Sequence, residues 1–462
     1  MRLIINQLNY IAMKKNCYSI LFRRLCAVLC ALVWASPSTG QNVIYDQPNT
    51  LSEYTDIRNY QDGMDIRLDV YRNHQPRTFS YIDRVNGAVY TIPVSCNVYD
   101  FEICKGYVYF CGSRVEGPNQ TTALFGWFNI DSVFFLTGDV HYEIVPFSSV
   151  NIYSFQRLAV SGDGQYIHLF LLGHWSSGAM AGDVVADAWK APGSWSWNVE
   201  YSLDTTQTLK YQDIAVTDNY VVIVAGEVDN YVSPTVIQHC ILSYPRPTAS
   251  TLNQSMFGGT SIVTTLYATS PSIFTPGIGD EVHVVPRGND EFATICSDIK
   301  GLEPPYPVVV SMYSDPLSAP YHRFSFMPYS STRIYHAAFT PPERTLCMVS
   351  RNEKNVLYTT TYPFSFVEHI RIGESSRWQG VDGVQGTNCL IVSGNSSDYT
   401  NDRLCLYCPD ADNCAERVRI DIEVLSRRQD RLQLAQNVRV ISCVHLSEPV
   451  KVVRDRMNVI CR

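Results

Sequence analysis

Four groups of side chains in this 462-residue chain could do chemistry. The first is an aromatic stretch, His174, Trp175, Trp195 and Trp197, set among Gly, Ser and Ala. Aromatic planes presented on a loop stack on sugar faces or anchor a protein partner, because they offer contact area at small entropic cost. Rings of this kind also pack between sheets, which is their commoner use. The second group is Cys405, Cys408 and Cys414. A tetrahedral metal site would need a fourth ligand nearby, and no Cys or His supplies one, so a local Cys408–Cys414 disulfide is expected and a metal is not. Asp410, Asp412 and Asn413 alternate as calcium ligands do, but without the turn glycine or the bidentate acid, and they read as a solvated turn.

The third group is a set of carboxylates near strand ends: Asp163, Asp183, Asp187, Asp213, Asp229, Asp280 and Asp382. Two of them meeting in a concave site could support glycoside hydrolysis, although Asp in hairpin turns has a conformational reason to be there. The fourth is His168, placed inside an apolar run and read as a satisfied core residue. Nucleophile-elbow, His-Glu-x-x-His, phosphate-loop and dinucleotide patterns are all missing, so the sequence assigns no catalytic residue and no cofactor.

The elements that would position these groups recur every 45 to 70 residues or so. In each unit an alternating segment leads into an apolar run ending on a small residue, as in Tyr107–Gly112, Tyr166–Gly173, Tyr220–Gly226, Phe292–Ser297, Thr345–Ser350 and Asn388–Ser393. A third run then closes on an aromatic residue with Pro close behind, as at Tyr244-Pro245 and Tyr362-Pro363. Polar turns rich in Gly and Asn separate the first two segments, so each unit is an antiparallel meander. A meander cannot bury both of its faces alone, and units of this length stack.

The repeat resembles a β-propeller, and Leu158-Ala-Val-Ser-Gly-Asp-Gly-Gln-Tyr-Ile is similar to the turn of bacterial Tol-type propeller repeats. The resemblance implies an all-β fold of six or seven four-stranded blades, closed by strands from both termini. Six units lie between residues 98 and 410, with a seventh drawing on Thr78–Ser95 and on Val438–His445 or Met457–Cys461. Residues 41–75 read as an irregular lead and 76–462 as one propeller domain.

Residues 1–40 read as a secretory signal, with Lys14, Lys15, Arg23 and Arg24 ahead of an apolar run from Leu25 to Trp34 that is too short to span a bilayer. The start at Met13-Lys-Lys suggests a bacterial source and a secreted, periplasmic or cell-surface protein. The signal carries five basic and no acidic residues, so the remaining chain holds 31 basic against 44 acidic residues, a net charge of −13. That field disfavours nucleic acid and anionic membrane as partners. The expectation is an exported, non-enzymatic propeller that binds a glycan or protein through loops on one face. The alternative is a carbohydrate-active hydrolase or lyase with carboxylates at the central funnel, and whether the chain is an enzyme is left open.

Overall fold

The computed structural model describes residues 42–408 apart from 49–51, 62, 72–76, 85–87, 118–119, 131–138, 146–149, 163–165, 179, 192–193, 195, 229–235, 248–253, 259–261, 266–280, 298–307, 327–333, 341–344, 351–355, 372–375 and 397–400. Beyond 408 it describes the backbone of residues 416–421, 423–424, 440–444, 453–455 and 458–460. The leader at 1–40 lies outside the described residues.

After β1 (Asn42–Pro48) come six antiparallel four-stranded sheets in simple meander order. Blade I is β2 (Ser52–Gln61), β3 (Met64–Tyr71), β4 (Arg77–Asp83) and β5 (Val89–Val94). Blade II is β6 (Asn97–Cys104), β7 (Tyr107–Gly117), β8 (Gln120–Asn129) and β9 (His141–Ile144). Blade III is β10 (Asn151–Gly162), β11 (Ile167–Ser177), β12 (Met180–Lys190) and β13 (Asn198–Leu203). Blade IV is β14 (Leu209–Val216), β15 (Tyr220–Val228), β16 (Val236–Pro245) and β17 (Ile262–Thr265). Blade V is β18 (Glu281–Gly288), β19 (Glu291–Ser297), β20 (Val308–Tyr313) and β21 (His322–Phe326), and blade VI is β22 (Ile334–Phe339), β23 (Thr345–Ser350), β24 (Val356–Thr361) and β25 (Phe366–Arg371). Blade VII takes β26 (Ser376–Gly383), β27 (Leu390–Ser396) and β28 (Asn401–Tyr407) from the C-terminal part of the chain and β1 as its fourth strand, Asn42 facing Leu406 and Pro48 facing Asn401.

The first strands of successive blades touch one another in a closed cycle, β2 to β6 to β10 and onward through β26 back to β2. Seven apolar clusters fill the seven spaces between neighbouring blades. The chain is a seven-bladed β-propeller. The innermost strands surround the axis, and the ring closes with one strand from the N-terminal side, which removes the open edges of a linear sheet array.

One device recurs on five of the inner strands and accounts for Gly112, Gly173 and Ser350, the small residues that end three of the apolar runs. Tyr99, Gln156, Gln212, Tyr335 and Gln379 are each an extra residue in the pairing with the second strand of their blade. Facing the bulge stand Gly112, Gly173, Ala225, Ser350 and Gly394. The bulged backbone enters the space a side chain would need: a Cβ on Gly112 would lie 1.7 Å from the Asn97 carbonyl oxygen, and one on Gly394 1.9 Å from that of Arg377. Bulges re-aim side chains, and here they recur in five of the seven blades, II, III, IV, VI and VII.

Two expectations are corrected. Residues 41–75 are not an irregular lead, since they supply β1 and the first two strands of blade I. They escaped notice because β3 has Asp65, Arg67 and Asp69 where other blades carry an unbroken apolar run, and all three are buried. The seventh blade does not use Val440–Val444 either. Past β28, β29 (Glu416–Asp421) extends blade VI alongside β25, β30 (Glu423–Val424) pairs with β21, and β31 (Val440–Val444) pairs with β29.

Candidate functional site

The inner strands enclose a cavity of about 680 Å³ on the propeller axis. Its wall carries Asp56 and Arg58 from β2, Asp100 and Glu102 from β6, Arg157 from β10, Asp213 from β14, His283 from β18, His336 from β22, and Gln379 and Asp382 from β26. Every blade contributes at least one polar side chain. Between them the wall is lined by small and apolar groups such as Ala159, Ala215, Val285 and Ala338, together with Tyr99 and Tyr335.

Much of this polarity ties one blade to the next. Asp100 accepts from the N–H of Phe101 at 2.8 Å and from that of Leu158 in blade III at 2.9 Å. Asp213 accepts in the same way from Ile214 and from Val284 in blade V, both at 3.0 Å, and Asp382 from Gly383 at 2.8 Å and from Asn59 in blade I at 2.7 Å. The bulged Gln212 and Gln379 accept through Oε1 from Val282 and Thr55 of the following blades, at 2.8 and 2.9 Å. His283 donates through Nε2 to the Ile334 carbonyl at 2.9 Å, and His336 through Nδ1 to that of Val381 at 2.9 Å. Inner-strand N–H groups that would be orphaned at the blade boundaries are satisfied by these side chains.

Arg58 is the hub of what remains. Its guanidinium lies 2.9 Å from Asp56 Oδ1, 3.0 Å from Glu102 Oε1 and 3.5 Å from Asp100 Oδ1. Nη1 also reaches Nε2 of His336, in blade VI, at 3.3 Å, where a neutral imidazole donating through Nδ1 accepts the bond. Burial pushes His336 down to about 4, against the pull of Asp56, which keeps the ring neutral. Burial likewise raises Asp100 to about 7 and Asp382 to about 6 despite Arg58, and it raises Glu102. Asp56 goes the other way: burial works to raise it, but the Arg58 charge and the N–H of Ile57 bring it below the ordinary carboxylate value. Asp213 also ends low, burial being outweighed by its hydrogen bond with His283 and the charge of Arg157.

The residues expected from sequence are placed elsewhere. His174 and Trp175 are not on a loop, because β11 and β12 run on as a continuous hairpin in which they face Asp183 and Gly182. Trp175 is buried at 2 % exposure against Gly182, where a Cβ would come within 2.8 Å of the indole nitrogen, so its ring is closed to a ligand. His174 Nδ1 is 2.7 Å from Asp183, and its ring stacks on Tyr153. Trp197 packs on Phe125, Trp127 and Tyr109, with the Lys190 ammonium 4.7 Å from its centroid. Trp195 lies outside the described residues. The aromatic stretch therefore serves packing between blades II and III as far as the described residues go.

Cys408 is bonded to Cys389, not to Cys414, which lies outside the described residues. Cys389 just precedes β27 and Cys408 just follows β28, and Leu390 faces Tyr407 on those strands, so the antiparallel register makes the two cysteines the next cross-strand pair. The apolar-run positions of Cys111, Cys296, Cys347 and Cys389 suggest buried thiols packing as small hydrophobes; the first three are buried thiols, whereas Cys389 is in the disulfide because it stands at the strand end opposite Cys408. Among the carboxylates, Asp213 and Asp382 line the funnel, whereas Asp183 and Asp187 are buried against His174 and His168; Asp163, Asp229 and Asp280 lie outside the described residues. Sequence reasoning missed Asp56, Arg58, Asp100, Glu102, Arg157 and His336. The signal for two of them, Asp100 and Arg157, was present: Val98-Tyr-Asp-Phe and Phe155-Gln-Arg-Leu align with Tyr211-Gln-Asp-Ile, which carries Asp213, once the bulge is allowed for.

No family model matches the chain, and no curated protein matches it. Among solved structures it is similar to the β-propeller domain of Cps50 (Swd1) from Myceliophteria thermophila, at 11% identity over 79% of this chain and 99% of that one, with a TM-score of 0.47. It is also similar to the β-propeller domain of the Trilobed protease from Pyrococcus furiosus, at 9% identity over 82% and 100% of the two chains with a TM-score of 0.46. A third likeness is to an acylaminoacyl peptidase from Pyrococcus horikoshii, at 10% identity over 81% and 52% with a TM-score of 0.46. It is the succession of seven closed sheets in this chain itself that makes it a propeller. Among the described residues no helix is long and apolar enough to cross a membrane, and no cluster of metal ligands is found.

Proposed function

We propose that this chain is an exported, non-enzymatic binding propeller that holds part of a glycan in its axial funnel. The observation that carries the reading is the cavity of about 680 Å³ whose wall alternates donors and acceptors, including Arg157, Glu102 and Gln156, with the rings of Tyr99 and Tyr335. That volume lies within the range of small-molecule sites, and mixed polar groups beside aromatic planes suit a hydroxyl-rich ring better than an apolar ligand. A protein partner would favour a central apolar anchor, whereas the large exposed hydrophobic side chains are spread over several blades. Export is supported by the basic and apolar leader and by the Cys389–Cys408 bond, which suits an oxidising compartment.

Hydrolysis is the second reading, and one contrast favours it: Asp56 and Asp100 contact the same guanidinium, yet their environments push their acidities apart. Against it, both oxygens of Asp100 accept main-chain N–H groups and the residue joins two blades. A glycan array probed with the full chain tests the proposal. Binding is expected to fall about tenfold or more in Arg157→Ala and to survive Trp197→Phe. Unchanged binding in Arg157→Ala together with Glu102→Gln would overturn it, and release of reducing ends from a bound glycan would establish the hydrolytic reading instead.

A further inference from the structure

Five carboxylates, Asp56, Asp100, Glu102, Asp213 and Asp382, line the funnel against three guanidinium groups, Arg58, Arg77 and Arg157, and two of the carboxylate oxygens accept from no described residue. Asp56, Asp100, Glu102 and Asp382 all act on Arg58, the guanidinium at the hub. Neutral His336 adds no charge there. Asp56 departs from the pattern of the other inner-strand carboxylates. Asp100, Asp213 and Asp382 use both oxygens on main-chain N–H groups, whereas Asp56 accepts from Ile57 and Arg58 only through Oδ1, which also lies 3.7 Å from His336 Nε2. No described residue donates to its Oδ2, although the side chain is only 4% exposed and lines the cavity. Glu102 repeats the arrangement from the next blade: Oε1 accepts from Arg58, and no described residue donates to Oε2 on a side chain that is 35% exposed to the cavity.

A carboxylate oxygen that opens onto the cavity and accepts from no protein donor is a place where a ligand donor can bind. The missing group is a donor that also carries positive charge. An inorganic divalent ion fits poorly, because the Arg58 guanidinium already stands within 3.5 Å of three of the carboxylates. An organic ammonium, with three donors and one charge, can share these oxygens with Arg58.

Resting on the glycan reading above, we propose that the ligand is an amino sugar with a free ammonium group, bound at Asp56 Oδ2 and Glu102 Oε2. The sugar ring then lies against the small and aromatic groups of the same wall, Ala338 and Tyr335 among them.

The test is calorimetric titration of the full chain with two probes that differ only at the nitrogen, a glucosamine oligosaccharide and its fully N-acetylated counterpart. The free-amine form is expected to bind about tenfold or more tightly, a difference of about 1.4 kcal/mol. Asp56→Asn, which keeps the Oδ1 acceptor, and Glu102→Gln, at a less buried position, are each expected to abolish that preference. Equal affinity for the two oligosaccharides would overturn the ammonium site and leave the glycan reading standing. Failure of both to bind, with a lysine peptide binding in their place, would overturn the glycan reading. Stabilisation by calcium ions alone that disappears in Asp56→Asn would assign the free oxygen to a metal and overturn the proposal.

Discussion

At the residue scale, the axial carboxylates are both fasteners and a source of pH dependence. Replacing Asp213 by Ala would leave the buried N–H groups of Ile214 and Val284 without acceptors. Each orphaned group costs about 1–3 kcal/mol, so denaturant unfolding is expected to show a loss of that order or larger. The pKa of Asp100 is raised from 3.8 to about 7 and that of Asp382 to about 6, so between those values the folded chain holds protons that the unfolded chain has released. Stability therefore falls as pH rises from about 4 to about 7 and levels off above, the reverse of the usual carboxylate trend. Asp56 and Asp213, whose pKa values are lowered, act in the opposite sense below that window. Thermal melting followed across pH is expected to peak on the acidic side, and Asp100→Asn is expected to flatten the slope.

At the element scale, three of the four strands were legible in blades III to VII and the fourth was not, for a physical reason. The second and third strands are shielded on both faces and read as apolar runs, as in β11 and β12. The outer strands β9 and β13 lie at the rim with half-exposed and exposed residues, so no apolar pattern marks them. The small residues closing the apolar runs were visible, but the cause of three of them was not, because a bulge on one strand leaves its trace on the partner strand. Gly173 shows the requirement: a Cβ there would sit 2.1 Å from the Ser154 carbonyl oxygen. Gly173→Ala is expected to destabilise the chain by about 1–3 kcal/mol or more in denaturant titration, with the bulge at Gln156 displaced. The site itself was illegible for a related reason, since residues from seven separate strands meet only when the ring is closed.

At the scale of the whole molecule, the seven interfaces between blades are unequal. Among the described residues, the seam between blades VII and I has five buried apolar residues, Ile57, Ile82, Val384, Ile391 and Leu404, fewer than any other. Charge contributes there too: Arg67 contacts Asp402 across the seam at 2.9 Å and Asp69 on its own strand at 2.9 Å, and Asn395 donates to Asp402. Losing one partner of a buried ion pair is costly, so Asp402→Ala is expected to open this seam first, seen as early hydrogen exchange in β3 and β28. The same closure gathers Arg58, Glu102 and His336 around one cavity, and the binding reading stands on that gathering. Hydrogen–deuterium exchange of the full chain with and without the glucosamine oligosaccharide tests it most directly. Protection confined to the inner strands β2, β6, β10 and β22 is the predicted result, whereas protection of the rim strands and the Trp197 region with the inner strands unchanged would contradict it.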